Sequence, residues 1–478
     1  MSSNGKKYTC TRREFLRLAA GTTAGIVLTA CGANPTAAPA PTTAPTKAAA
    51  APTNAPVAPT AAAATAAPKP TAAPTVAGAT NLVWWTSLAG VVATTLDTMA
   101  KNYVAKNPKV AIKVENQGTY VQLRDKLLAA AAAKQLPDMI LMGNGYWAPF
   151  ARNNILEPLD DYIKGANGID LKDYFPFVNR GAIDGKYYQL PIPVSAPLFY
   201  INLDMFKAAN VPVPTEKWTW DQHYDSIIPA LTIKDGSKVK VYGHAYRTNT
   251  WNQQQDIWAY GSQMSDDKYN LFLDSPEMIN QWKRWQKLSA GGHNHIPTQA
   301  EGGTLEMFAN QTTATTWAST GSLQRFEDQV KGRFKWSVLA SPYGPKGRFA
   351  AEGGGGIHIV AGSSKEKKDA AWGFVKYTQE PEQVAFFAKS TGYLAFTNKG
   401  QGLIADFLKD NPLFKIAYEA LGSGGRKSEP FADCARAQTL IWETLDNLAI
   451  GTQDVEKTLK QLQKDATAIM IEDGYQKK

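Results

Sequence analysis

Cysteine is scarce in this chain of 478 residues: Cys10 and Cys31 lie near the start and Cys434 stands alone. The folded body therefore has no disulfide framework and no cysteine-based metal site available to it. Histidine is nearly as sparse, and of the five only His293 and His295 are close, in GGHNHIP. That stretch reads as a Gly-rich surface loop rather than half a metal site. Long basic runs are missing as well. The net charge is +9, and residues 1–30 supply Lys6, Lys7, Arg12, Arg13 and Arg17 against Glu14 alone. Elsewhere basic and acidic residues alternate, which excludes an extended nucleic-acid surface. The glycine run 353–356 is not followed by Lys-Ser/Thr. A nucleotide P-loop is therefore not expected, nor any cofactor; close backbone approach to a ligand is the better use of those glycines. No ATPase motif is present.

The first 31 residues read as an export signal. A basic start contains TRREFL at 11–16, a twin-arginine pattern, and an apolar small-residue segment follows at 18–30. That segment falls short of the roughly 20 apolar residues a membrane-spanning helix needs. It ends in LTACG (28–32) and resembles the bacterial lipoprotein box, in which the cysteine, here Cys31, becomes the lipidated first residue of the mature chain. In residues 33–79 all but seven of 47 are Ala, Pro or Thr. Without aromatic or large aliphatic side chains such a stretch cannot repay the entropy of ordering. Its prolines make it stiff, at about 3.1 Å per residue where polyproline-like. Residues 32–80 are thus expected to be a disordered tether holding a domain off a membrane.

The remaining roughly 400 residues are long enough for two or three domains. Apolar strand-like runs (82–85, 110–114, 138–142) alternate with helical patterns (91–106, 120–135, 146–163). This argues a mostly parallel sheet covered by helices. In such sheets ligands bind beyond the carboxyl ends of the strands, where this chain places 85–87, 118–120 and 144–147. The stretch 189–204, QLPIPVSAPLFYINLD, carries Pro191, Pro193 and Pro197 before an apolar β-prone run. Proline fixes φ and removes a donor, so this is neither helix nor central strand throughout. It reads as a crossing from one α/β unit to the next, with Ser195 at the floor of the cleft between them.

Several segments together resemble the extracellular solute-binding proteins of bacterial ABC importers, especially the sugar-binding group that includes maltose- and glycerol-3-phosphate-binding proteins. They are VWWTSLAG (83–90), AKNYVAKNPKVAIKV (100–114), LPDMILM (136–142), GKYYQLPIPVSAPLFYINLDMFKAANV (185–211), TWASTGSL (316–323), GGGGIHIV (353–360) and STGYLAFTN (390–398). The resemblance implies an α/β periplasmic-binding-protein-like fold with two lobes joined by three crossover hinge segments. The expected divisions are a first lobe at 81–193 and 319–362 and a second at 194–318 and 363–478, with further crossings at 319–321 and 362–364. It implies no catalysis. A sugar or polyol phosphate is held in the cleft and delivered to membrane permease subunits powered by a separate ATPase. Carried over residue by residue, it assigns ligand contacts to Tyr120, Ser195, Trp251, Thr320, Gly355 and Tyr393, and more loosely to Arg436. Where those relatives place a Glu after the third strand, this chain has Asn144.

Sugars present apolar C–H faces and a rim of hydroxyls, so their sites need aromatic platforms and planar polar groups. The chain has 13 Trp and 19 Tyr. Expected platforms are Trp85, Tyr120, Trp147, Trp251, Trp317 and Tyr393; expected hydrogen-bonding groups are Ser87, Asn144, Ser195, Asn249, Ser319 and Arg436. Trp282, Trp285, Trp372 and Trp442 lie inside helical patterns and belong to cores. Two other classes remain open. A secreted glycosidase needs two facing carboxylates, for which Glu301, Glu306 and Glu352 are available, though no pair sits at matched strand ends. A ferric-ion binder on the same fold needs clustered tyrosines and a carboxylate, against which the tryptophan content argues.

Overall fold

The computed structural model of the protein describes residues 78–476 apart from 177, 179, 180 and 247–249. The expected export signal with Cys31, most of the expected tether, and Asn249 lie outside the described residues.

The first lobe is built on a sheet in the order Gly425–Lys427, Ala350–Ile359, Met139–Gly143, Thr80–Thr86, Val110–Asn116, with Leu190–Ser195 also paired to Ala350–Ile359. Thr80–Thr86 runs parallel to both of its neighbours. Its side chains alternate between two buried faces, as period two demands. Leu82 and Trp84 join one cluster with Met99, Phe374 and Val375; Trp85 joins the other with Leu123, Ile140 and Phe150. Helices Val91–Lys106 and Lys365–Thr378 cover the first face, Tyr120–Ala133 and Ala148–Arg152 the second. Thr119 and Gln122 form a reciprocal capping box that fixes where Tyr120–Ala133 begins, and so where Tyr120 stands.

The second lobe's sheet runs Asn294–His295, His244–Ala245, Thr315–Ser319, Pro197–Asn202, Trp336–Leu339. Pro197–Asn202 is buried throughout and alternates in the same way: Phe199 and Ile201 face one cluster, Leu198 and Tyr200 the other.

The chain passes from sheet to sheet within one residue. Leu190–Ser195 pairs in the first, Pro197–Asn202 in the second, and Ala196 lies between. Thr320, next to the strand paired with Pro197–Asn202, pins that crossing from the second lobe. Its N–H donates to the Ala196 carbonyl (2.9 Å), and its hydroxyl accepts from the Ala196 N–H (3.3 Å).

The other two crossings are not where the sequence pattern puts them. After Ser319 the chain stays in the second lobe: the Ser319 hydroxyl accepts from Gly321 N–H and turns the chain into Leu323–Val330. That helix buries Leu323, Phe326 and Val330 against Tyr200. At 362–364 the chain stays in the first lobe, because Ser364 caps Lys365–Thr378, which packs back on the same sheet. A small-residue turn that caps a helix looks, in sequence, like one that crosses a gap. The returns occur instead at 340–349, between Trp336–Leu339 in the second sheet and Ala350–Ile359 in the first, and at 392–396. There Leu394 N–H donates to Val194 O (2.8 Å) alongside the first crossing. Segment 319–362 therefore feeds both sheets. Residues 363–478 also divide: Lys365–Thr378 covers the first lobe, whereas Ala435–Ile450 and Val455–Glu472 pack on Pro276–Ala290 in the second.

Candidate ligand-binding cleft

Three aromatics expected as platforms each lie against a glycine at the junction of the lobes. A Cβ on Gly143 would come 2.9 Å from the Tyr120 ring, one on Gly353 2.5 Å from the Trp251 ring, and one on Gly321 2.4 Å from the Tyr393 ring. Any larger residue at the last two would push the ring away. The rings reach the junction from separate elements, the start of Tyr120–Ala133, the first turn of Thr250–Tyr260, and the segment after Pro381–Thr391. All three are half-buried. Burial raises the Tyr120 hydroxyl well above its ordinary value, and neighbouring Tyr393, Tyr146 and Glu352 raise it further, which places these groups around one space. Burial pushes the Tyr393 hydroxyl up to about 12. Tyr146 stacks on Tyr120 with ring centroids 6.1 Å apart.

A polar train forms the floor. Gln189 Nε2 donates to Asn144 Oδ1 (3.0 Å). Asn144 Nδ2 in turn donates to the Glu352 carboxylate at 3.0 and 3.2 Å. Glu352 is 1% exposed. A carboxylate thus stands beside Asn144 after all, delivered by the antiparallel partner strand. Ser195 is registered opposite Gly353 at the end of the same strand. Gly354 adopts φ 117° at a bulge where a Cβ would sit 2.0 Å from the Pro193 carbonyl oxygen, so only glycine serves there. Gly355 pairs with Gly143, and a Cβ on it would meet Met142 O at 2.3 Å; its smallness serves strand packing.

Other expected contacts are placed elsewhere. Trp85 is a core residue whose indole N–H donates to Glu115 (2.9 Å). The Ser87 hydroxyl donates to the Leu141 carbonyl (3.1 Å) and ties strand ends together. Trp317 is buried in the second lobe's aromatic cluster. Trp147, nearly buried, packs on His358 (5.6 Å) and Tyr188 at the edge of a cavity of about 560 Å³ that Asn144, Arg152, Tyr269, Arg426 and Asp433 also line. Arg436 is held by Asp473 (2.7 Å) and Glu472 (3.1 Å) at the closing helix, away from that cavity. The arginines at the cavity are Arg152 and Arg426, the latter stacked over Trp258 at 4.5 Å on a strand whose neighbouring residue Lys427 pairs with Glu352. Of the carboxylates considered as catalytic acids, Glu301 binds His295 and Glu306 binds Arg325; neither is paired with Glu352. Glu352's place in the floor, with Gln189 and Tyr146, is not marked by any motif. The one signal is a carboxylate directly before four glycines in a strand-like run. Among the described residues no group of three or more His, Cys, Asp or Glu could hold a metal ion, and no helix is long and apolar enough to cross a membrane.

Residues 98–416 match the family model described as bacterial extracellular solute-binding protein. The sn-glycerol-3-phosphate-binding periplasmic protein UgpB of Escherichia coli strain K12 is 25% identical over 352 residues, covering 70% of this chain and 78% of that protein. Among solved structures, UgpB from Mycobacterium tuberculosis in complex with glycerophosphocholine aligns with a TM-score of 0.73 at 24% identity, covering 83% of this chain and 99% of that one. The ABC substrate-binding protein Lmo0181 from Listeria monocytogenes in complex with cycloalternan gives 0.73 at 19%, covering 82% and 99%. With a family match over most of the folded body, and with the two-lobed α/β architecture these structures share, the chain belongs to the bacterial extracellular solute-binding proteins.

Proposed function

We propose that this protein captures a hydroxyl-rich solute, a sugar or a polyol phosphate, between its lobes and presents it to the membrane subunits of an ABC importer whose ATPase is a separate chain. Cys31 is the lipid attachment point in this reading, with residues 32–80 as the tether that lets the body reach the permease. The observation that carries the proposal is the convergence of Tyr120, Trp251 and Tyr393, each against a glycine, on the Gln189–Asn144–Glu352 train. Half-buried rings offer faces to sugar C–H groups, and a buried carboxylate accepts from hydroxyls in strong charge-assisted bonds. Since a carboxylate repels a phosphate, the hydroxylated part of the ligand belongs at Glu352 and any anionic part toward Arg426. UgpB relatives and the cycloalternan-bound neighbour support both halves of that ligand class. Closure draws on contacts that exist only when the lobes meet. Glycosidase action is the competing class, and the engagement of Glu301 by His295 and of Glu306 by Arg325, rather than opposite Glu352, argues against it.

A thermal-shift screen with maltose, mannobiose, glycerol 3-phosphate and glycerophosphocholine, followed by calorimetry, tests this reading. A shift without turnover supports it. Hydrolysis of any glycan, or affinity that survives both Trp251→Ala and Tyr393→Ala, overturns it.

A further inference from the structure

Arg152 ends a first-lobe helix whose Phe150 and Ala151 are buried against that lobe's core. Its guanidinium reaches the other lobe. Nη2 donates to the Tyr269 hydroxyl at 3.1 Å. The guanidinium lies 5.5 Å from the centre of the Tyr269 ring and 5.3 Å from that of Tyr475, and the two rings are 5.2 Å apart. Both tyrosines are fixed from behind by one residue. The Tyr269 hydroxyl donates to Asp433 Oδ2 (2.8 Å) and the Tyr475 hydroxyl to the Asp433 carbonyl (2.8 Å). Tyr269 and Tyr475 pack against the second-lobe cluster that holds Phe431, Cys434 and Ile441. One cation of the first lobe thus sits in a three-residue socket of the second, on the wall of the cavity that Asn144 also lines.

We propose that Arg152 and the Tyr269–Tyr475–Asp433 socket are a latch that favours the closed state of the two lobes, with Arg152 a positioning residue rather than a ligand contact. The proposal rests on closure of the two lobes and on no particular ligand. A guanidinium between two aromatic faces gains most where water is excluded. The socket is such a place: burial pushes the Asp433 carboxyl up to about 7 although Tyr269 bonds to it and the Arg152 charge faces it. Opening takes that charge away from a desolvated carboxylate, so the latch and the acid support one another. The closing residue of the socket, Tyr475, follows the helix Val455–Glu472, which gives that second-lobe helix a direct hold on the first lobe.

The test needs no ligand. A Cβ on Gly145 would stand 3.1 Å from Ala432 Cβ across the same seam, close enough for a disulfide after slight adjustment. Gly145→Cys with Ala432→Cys, in the full chain with Cys10 and Cys31 changed to serine and Cys434 to alanine, reports the closed population by its rate of disulfide trapping in a glutathione buffer. Arg152→Met, which keeps the stem and removes the fork, should slow trapping about ten-fold, the scale of a desolvated cation–π contact. Tyr269→Phe should slow it about three-fold, and Arg152→Lys should recover part of the rate. A purely structural role would lower the urea midpoint and leave trapping within two-fold of the parent. That result, in Arg152→Met or, if it fails to fold, in Tyr269→Phe, overturns the latch.

Discussion

Two gatherings of aromatic rings in this molecule have similar composition and opposite character. In the second lobe Trp218, Trp220 and Trp317 surround Phe199 edge-on, at 4.9 Å for Trp218 and 5.3 Å for Trp317, Trp285 packs edge-on against Trp317, and all are nearly or fully buried. At the cleft Tyr120, Trp251 and Tyr393 are half-buried and each lies against a glycine, with no more than one ring beside it: Tyr146 on Tyr120 and Phe387 at 5.8 Å from Tyr393. Rings packed on rings fill volume, whereas a ring laid on bare backbone keeps its other face available. An aromatic count by itself does not separate the two; the residue under the ring does.

The largest effect expected from this contrast is on stability. Trp317→Ala should cost about 3–5 kcal/mol by leaving a cavity in a close-packed cluster, read from urea unfolding. Trp251→Ala should cost less than about 1 kcal/mol, being only partly buried, yet remove ligand binding. Equal losses of stability would erase the distinction. Next is the polar floor: Glu352→Gln should weaken binding of the best sugar in the screen by about ten- to a hundred-fold, the range for a hydrogen bond to a charged group, measured by calorimetry. Unchanged affinity would mean that the carboxylate serves the fold alone. The glycine seats come third. Gly353→Ala and Gly321→Ala should each lower affinity about ten-fold by displacing Trp251 or Tyr393, with melting shifted far less than in Trp317→Ala; a methyl accepted without loss would show that the rings need no seat.

The smallest effect is a pH dependence set by buried titratable groups in several places, Asp433 among them. Burial lowers His223 and His244, the latter to about 3. The unfolded chain takes up protons near pH 6.5 and the folded one does not, so this pair should cost stability as pH falls from 6.5 toward 3. Burial pushes Asp256 and Glu429 up to about 7. The folded chain then holds protons that the unfolded one has released, and stability should fall as pH rises from about 4 toward 7. The opposed slopes partly cancel, and His244→Phe should steepen the decline toward neutral pH by removing the acid limb. Urea midpoints between pH 4 and 8 check this.

Much of the fold is legible in the chain because burial on both faces writes itself as an apolar run. Leu82–Trp85 and Met139–Met142 read as central strands and are. The first crossing is legible because Pro191, Pro193 and Pro197 forbid alternatives. The others are not, since Ser319 and Ser364 cap helices that return to their own sheets. At the candidate site, Tyr120, Trp251 and Tyr393 each lie against a glycine at the junction of the lobes, and Asn144 bonds to Glu352. Arg436 does not join them, because Asp473 and Glu472 engage it from a helix nearly forty positions on. Glu352's place in the floor is not legible, because its partner Asn144 is 208 positions away.

The sequence by itself determined the Ala/Pro/Thr composition of residues 33–79, the strand–helix alternation and a proline-marked crossing within 189–204. Each is a local matter of φ restriction, periodicity or the lack of anything to bury. The tertiary structure alone decided which aromatics face the cleft, where the chain returns between lobes, and that Glu352 and Asn144 share a floor. Those depend on which glycine, acid or sheet edge is brought opposite, and antiparallel pairing of distant strands sets that, not spacing along the chain.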